Sequence, residues 1–310
     1  YSGATVGWTP SSDIVNALEP VAPTIQKAIF GYGKTSSDVS LTNLVNSSGV
    51  VATDVTGVGT ARNNLAASSY GGDKAIFGYG RTSTQVSMTN LVNNSGVVAT
   101  DVSGVGTARQ SLAAASYGGD KAIFGYGTDS SLTNLVTNQG VVGNDVSGVG
   151  TARNDLAAAS YGGDKAIFGY GYYYSGGVVN YSLTNKVSNS GVVASDTTGV
   201  GTARYLLAAT GYGGDKAIFG FGTTGSVTGL TNLVSNTGVV ASNVSAVGTA
   251  RKGLAAAGYG GDKAIFGYGT TGSLTAITNL VNNSGVVASD VSGVGTAREK
   301  PAAAGFSYAA

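Results

Sequence analysis

The side chains able to do chemistry in this chain come mostly in six-fold sets. Arginine recurs at Arg62, Arg109, Arg153, Arg204, Arg251 and Arg298. Eight residues before each stands Asp54, Asp101, Asp145, Asp196, Asn243 or Asp290. A second acidic set, Asp73, Asp120, Asp164, Asp215 and Asp262, follows a Gly-Gly pair and precedes a lysine. A guanidinium with a fixed carboxylate or carbonyl partner makes a charge-assisted tie that can lock neighbouring repeats. The functional alternative is a six-fold site for calcium or a small anion near an axis. Recurrence in every copy favours the structural tie, and Asn243 interrupts the ring of acids. One cluster is not repeated: Tyr172, Tyr173, Tyr174, Ser175, Gly176, Gly177, Asn180 and Tyr181. Tyr, Ser, Gly and Asn together form adaptable recognition surfaces, and flat aromatic faces beside polar groups suit sugar rings.

Much chemistry is excluded by composition. The 310 residues include no His and no Cys, and Glu occurs only at Glu19 and Glu299. Ser-His-Asp and Cys-His nucleophiles, thiolate zinc and imidazole bases are therefore absent. Paired aspartates remain a route to glycoside hydrolysis. Nearly all of them belong to the repeated pattern, whereas a unique catalytic centre should break the symmetry. The Gly-Tyr-Gly of each repeat has no following helix or Lys-Ser/Thr, so it is no phosphate cradle. Net charge is +1 and charged residues are 11%, which gives no nucleic-acid footprint. No apolar run reaches the length of a membrane span. The expectation is a chain that is not an enzyme, needs no cofactor and holds no metal.

These groups are carried by an internal repeat. Lys-Ala-Ile-Phe-Gly begins at Lys27, Lys74, Lys121, Lys165, Lys216 and Lys263, with spacings of 47, 47, 44, 51 and 47. Each unit reads as four short strands, as at 254–259, 263–269, 277–281 and 286–291, joined by turns rich in Gly and Asn. Four strands in about 45 residues, repeated six times, predict an all-β fold, a six-bladed β-propeller of four-stranded antiparallel blades. The first unit lacks the 254–259 strand, and a surplus copy follows Arg298. The first blade is therefore expected to be closed by the C-terminal strand. The domain reading is an N-terminal linker or attachment segment at 1–26 and the propeller at 27–310.

Units such as TARKGLAAAGYGGDKAIFGYG (249–269) followed by TNLV resemble kelch-type repeats, with an Arg before the first strand and glycines, Gly267 and Gly269, ending the second. Val286 and Val287 stand where the kelch tryptophan is expected. The near-identical, Gly- and Ser/Thr-rich, Cys-free units also look like repeat domains of phage tail or fibre proteins.

Every change of repeat length falls in one loop, between the second and third strands: 34–41, 81–88, 128–132, 172–183, 223–230 and 270–277. The two residues after each repeated Arg vary as well. Successive strands run in opposite directions, so both variable segments open on one face, where binding loops on a rigid scaffold belong. The residues assigned to ligand binding on that face are Tyr172, Tyr173, Tyr174, Asn180, Tyr181, Lys34, Arg81, Asp129 and Tyr205. The expected partner is a host surface glycan or protein, met by an adhesin on a virion or another extracellular surface. An upstream fibre or virion domain would attach through the N-terminal segment. The alternative is a purely structural or assembly module.

Overall fold

The computed structural model describes residues 26–307 except residue 246. The segment expected to be a linker or attachment, apart from Gln26, lies outside the described residues. Among those described the chain is all-β, with no helix. Twenty strands follow in order: β1 (Lys27–Gly31), β2 (Thr42–Val45), β3 (Ala66–Tyr70), β4 (Lys74–Gly78), β5 (Thr89–Val92), β6 (Ala113–Tyr117), β7 (Lys121–Gly125), β8 (Thr133–Val136), β9 (Ala157–Tyr161), β10 (Lys165–Gly169), β11 (Tyr172–Tyr174), β12 (Val178–Asn180), β13 (Thr184–Val187), β14 (Ala208–Tyr212), β15 (Lys216–Gly220), β16 (Thr231–Val234), β17 (Ala255–Tyr259), β18 (Lys263–Gly267), β19 (Thr278–Val281) and β20 (Ala302–Phe306).

They form six three-stranded antiparallel sheets and one hairpin, β11–β12. In each sheet a Lys-Ala-Ile-Phe-Gly strand is central. The first sheet is β20-β1-β2, with Lys27 opposite Phe306 and Gly31 opposite Ala302, so the chain's last described strand completes its first sheet. The others, in order, are built on β4, β7, β10, β15 and β18. In these five sheets the first hairpin turns on two glycines and an aspartate. Gly71 and Gly72 take φ of 60° and 80°, which a Cβ would strain.

The fourth segment of each unit is not a full strand, a departure from the four-stranded expectation. It meets the third strand only at isolated bridges, Val45 with Val51 and Thr42 with Val55 in the first unit. Three steps on one side face four on the other. The extra residue makes a bulge that breaks the ladder. The Asn43 side chain fills the gap, donating to the Ala52 carbonyl at 3.0 Å and to Asp54 Oδ1 at 2.9 Å. The second strand also stops short. It ends at Gly267, and Tyr268 turns left-handed, with φ of 65°.

Central strands bury both faces, because the sheets pack against one another. The first strands are neighbours in the order β20, β3, β6, β9, β14, β17 and β20 again. At the Gly-Gly-Asp turns, backbone hydrogen bonds link consecutive sheets: Ser307 N to Asp73 O, Gly71 to Asp120, Gly118 to Asp164, Gly162 to Asp215, Gly213 to Asp262, and Gly260 to Gln26. Between sheets, each Phe of one central strand presses on the Gly ending the previous one. Phe124 Cζ stands 2.6 Å from where a Gly78 Cβ would be, and Phe30 Cζ stands 2.8 Å from that of Gly267. Each buried Phe contributes about 1.5–3 kcal/mol of hydrophobic stabilisation.

Candidate functional site

The six arginines are buried between sheets and each is hydrogen-bonded, Arg62, Arg109 and Arg298 through all three guanidinium nitrogens. Arg298 Nε donates to the Tyr32 carbonyl at 2.8 Å, Nη1 to the Thr296 carbonyl at 3.0 Å and Nη2 to Asn43 Oδ1 at 2.8 Å. Its guanidinium lies over the Tyr268 ring of the preceding sheet, 4.1 Å from the centroid, and Arg62 lies over Tyr32 at 4.3 Å. Burial lowers the pKa values of Arg62, Arg153, Arg204, Arg251 and Arg298, taking Arg251, whose aromatic neighbour is Phe221, to about 10. The paired aspartates clamp the crossover into each sheet. Asp54 accepts from Thr296 N at 3.0 Å and from Thr296 Oγ1 at 2.6 Å. Burial would raise the Asp54 carboxyl, but the Thr296 and Asn43 hydrogen bonds and the Arg298 charge outweigh it and hold it below its ordinary value.

Asn243 serves the same clamp with one bond reversed. Its Oδ1 accepts from Thr202 N at 3.1 Å, and its Nδ2 donates to Thr202 Oγ1 at 2.7 Å. A carboxylate is therefore not required at this position. The second acidic set sits half-buried in turns beside lysines, such as Asp73 Oδ1 at 2.8 Å from Lys74 Nζ. Among the described residues, no three acidic, His or Cys side chains gather as a metal site would require.

The two variable segments of each unit are joined. The residue after each repeated Arg meets the start of the loop that follows the central strand: Asn63 with Arg81, Asn154 with Tyr172, Tyr205 with Thr223, Lys252 with Thr270, and Glu299 with Lys34. In the third unit the contact runs through Thr128 Oγ1, which accepts from Gln110 N at 3.0 Å.

The tyrosine insertion is a hairpin, with Tyr172 opposite Asn180 and Tyr174 opposite Val178. Tyr174 is 61% exposed, and Tyr173 is half-buried. The Tyr172 ring packs on Tyr205 at the entry to the fifth sheet, centroids 4.8 Å apart. Burial raises the Tyr172 pKa, helped by the negative charges of Asp155 and Asp129. Asn180 Oδ1 is buried with no hydrogen-bond partner among the described residues. Tyr181 is fixed by its backbone, its N–H donating to the Gly171 carbonyl at 2.8 Å.

Asp129, exposed on the neighbouring third unit, accepts from Asn154 Nδ2 at 2.6 Å. Asp129, Tyr172 and Tyr205 thus form one group spanning three units. Lys34 and Arg81 are exposed and belong to the first two units. They share the bridging pattern but not this group.

Two cavities were not foreseen. One, of about 290 Å³, runs between the first strands and is lined by consecutive residues of each, 67–69 in the second sheet and 209–212 in the fifth. The other, of about 70 Å³, lies among Asn64, Ser111, Asp155, Leu206, Gly253 and Lys300, the second residue after each repeated Arg. The available signal was that these six positions carry six different residues in otherwise near-identical units.

Compared with known proteins, the chain matches no family model and no curated protein.

Proposed function

We propose that the six sheets are the blades of a kelch-like six-bladed β-propeller. On this reading the chain is a non-enzymatic binding domain of a virion or other extracellular surface, akin to a phage tail-fibre adhesin. It recognises a glycan or a host surface protein through its variable loop face. One observation carries the reading: variation in a near-identical repeat is concentrated in two segments, and those segments bridge each other in the same way in unit after unit. The turns, the buried arginines and the Phe-on-Gly contacts recur with little change, as a scaffold for loops requires. Tyr172, Tyr173, Tyr174 and Tyr205 supply aromatic area at low conformational-entropy cost. Screening the intact chain on a glycan array and against host-cell surfaces tests this reading. Saturable binding that is lost on replacing 172–181 with the short 128–132 loop supports it, and binding that survives the exchange overturns it.

A second reading, a structural disc used in assembly, is favoured by a row of exposed valines. Val50, Val97, Val141, Val192, Val239 and Val286 are each about 60% exposed, one per unit. A regular apolar row of this kind suits packing against neighbours.

A further inference from the structure

The smaller cavity has features that fold maintenance does not explain. Its rim is made of Asn64, Ser111, Asp155, Leu206, Gly253 and Lys300, all with φ between 47° and 61°. They are linked head to tail by backbone hydrogen bonds of 2.7–3.0 Å, from Ser111 N to Asn64 O and onward to Lys300 N on Gly253 O. Left-handed backbone favours Gly or Asn. Gly253 shows that the position accepts glycine, yet Ser111, Asp155, Leu206 and Lys300 carry strained conformations there. Strain kept where an unstrained residue fits marks a site whose side chains are needed.

Those side chains are asymmetric in a specific way. In the order of the ring, Asp155 and Lys300 are three places apart, opposite one another. No ion pair joins them among the described residues. Burial raises the Asp155 carboxyl above its ordinary value, although a hydrogen bond from Ser111 and the Lys300 charge oppose the rise, so a bound cation is what would draw it into the charged form. The next residue of each unit, five leucines and Pro301, is buried and lines the same cavity. These apolar side chains form the floor between the two ionisable groups.

We propose that this cup binds a compact zwitterion, a free α-amino acid of the size of glycine or alanine, with its ammonium held by Asp155 and its carboxylate by Lys300. The volume fits. At about 15 Å³ per water-sized group, 70 Å³ accommodates roughly five non-hydrogen atoms, the count of glycine. Ser111 orients the Asp155 carboxylate, and Asn64 offers an amide beside Lys300. This inference requires the ring of rim residues but not surface attachment by the tyrosine hairpin.

Isothermal titration calorimetry on the full chain tests it, with glycine, alanine, acetate and methylammonium as probes. Glycine and alanine are expected to bind at least about tenfold more tightly than either single-charge fragment. Asp155→Asn and Lys300→Met are each expected to weaken glycine binding by at least about tenfold. The exchange Asp155→Lys with Lys300→Asp is expected to restore it, because a zwitterion can bind reversed. Melting curves confirm that each variant is folded, and the fragment series on the unaltered chain stands without them. Acetate or methylammonium binding as tightly as glycine overturns the proposal. So does undiminished binding in a folded Asp155→Asn chain, or an absence of saturable binding by both amino acids. The tyrosine-hairpin experiments bear on surface attachment alone, so failure of one reading is distinguishable from failure of the other.

Discussion

The Tyr172 ring, on the hairpin of the fourth unit, packs on the Tyr205 ring at the entry to the fifth, with centroids 4.8 Å apart and planes inclined at 57°. The contact ties the longest variable loop to the variable segment of the next unit. Tilted aromatic pairs contribute about 0.5–1.5 kcal/mol beyond their buried area. A double-mutant cycle with Tyr172→Ala and Tyr205→Ala, read by denaturant unfolding, is expected to return a coupling in that range. Strict additivity would mean that the two rings are held independently.

Glycines at the ends of central strands are expected to be far more sensitive than glycines at the hairpin tip. A Gly78 Cβ would lie 2.6 Å from Phe124 Cζ, whereas one on Gly177 meets nothing within 4 Å and its φ is not left-handed. Gly78→Ala should destabilise by about 1–3 kcal/mol through overpacking. Gly177→Ala should leave the melting temperature nearly unchanged. Equal effects would contradict the packing account.

The Asp–Thr clamps set an acid limit. The Asp101 carboxyl is held below 3.8 because hydrogen bonds from Thr60 and Asn90 and the Arg62 charge outweigh its burial. A carboxyl depressed in the folded chain stabilises above its unfolded pKa, and this contribution is lost as pH falls through the folded value. Stability is therefore expected to fall below pH 3.8 as these clamps protonate. Asp101→Asn should reproduce the Asn243 arrangement at small cost and lessen the acid dependence. Asp101→Ala should cost about 1–3 kcal/mol by leaving Thr60 and Asn90 donors unpaired.

At the alkaline end, burial raises Tyr79 and Tyr126 to about 12, against the opposing charges of Arg109 and Arg153. A raised folded pKa means that these phenols stabilise fully below pH 10 and cease to do so as pH rises through about 12. Absorbance titration near 295 nm should show a late class of tyrosines that ionises only as pH approaches about 12. A single transition with no late class would contradict the burial of these rings.

The sequence carried the units, the turns and the completion of the first sheet, because each has a local signature: repeated Gly-Gly-Asp, alternating β-formers and a surplus strand after Arg298. It could not show that the fourth segment is only bridged, since that depends on a one-residue mismatch between 42–45 and 51–55. Nor could it show Tyr268 left-handed, a conformation that glycine usually supplies. Here the Tyr268 hydroxyl donates to the Val294 carbonyl at 3.1 Å, and the ring lies beside Phe30 and under Arg298. At the variable face, proximity in sequence found the tyrosine hairpin. Its grouping with Asp129 and Tyr205 depends on the packing of neighbouring units, as does the cup formed by six separated residues.

The central claim is that the variable face attaches this chain to a surface. Replacing Tyr172, Tyr173 and Tyr174 with serine and measuring attachment to the glycan or cell surface selected by screening tests it most directly. The expected result is loss of attachment, with the melting temperature kept within a few degrees of the unaltered chain. Attachment at undiminished affinity in the folded variant would contradict it.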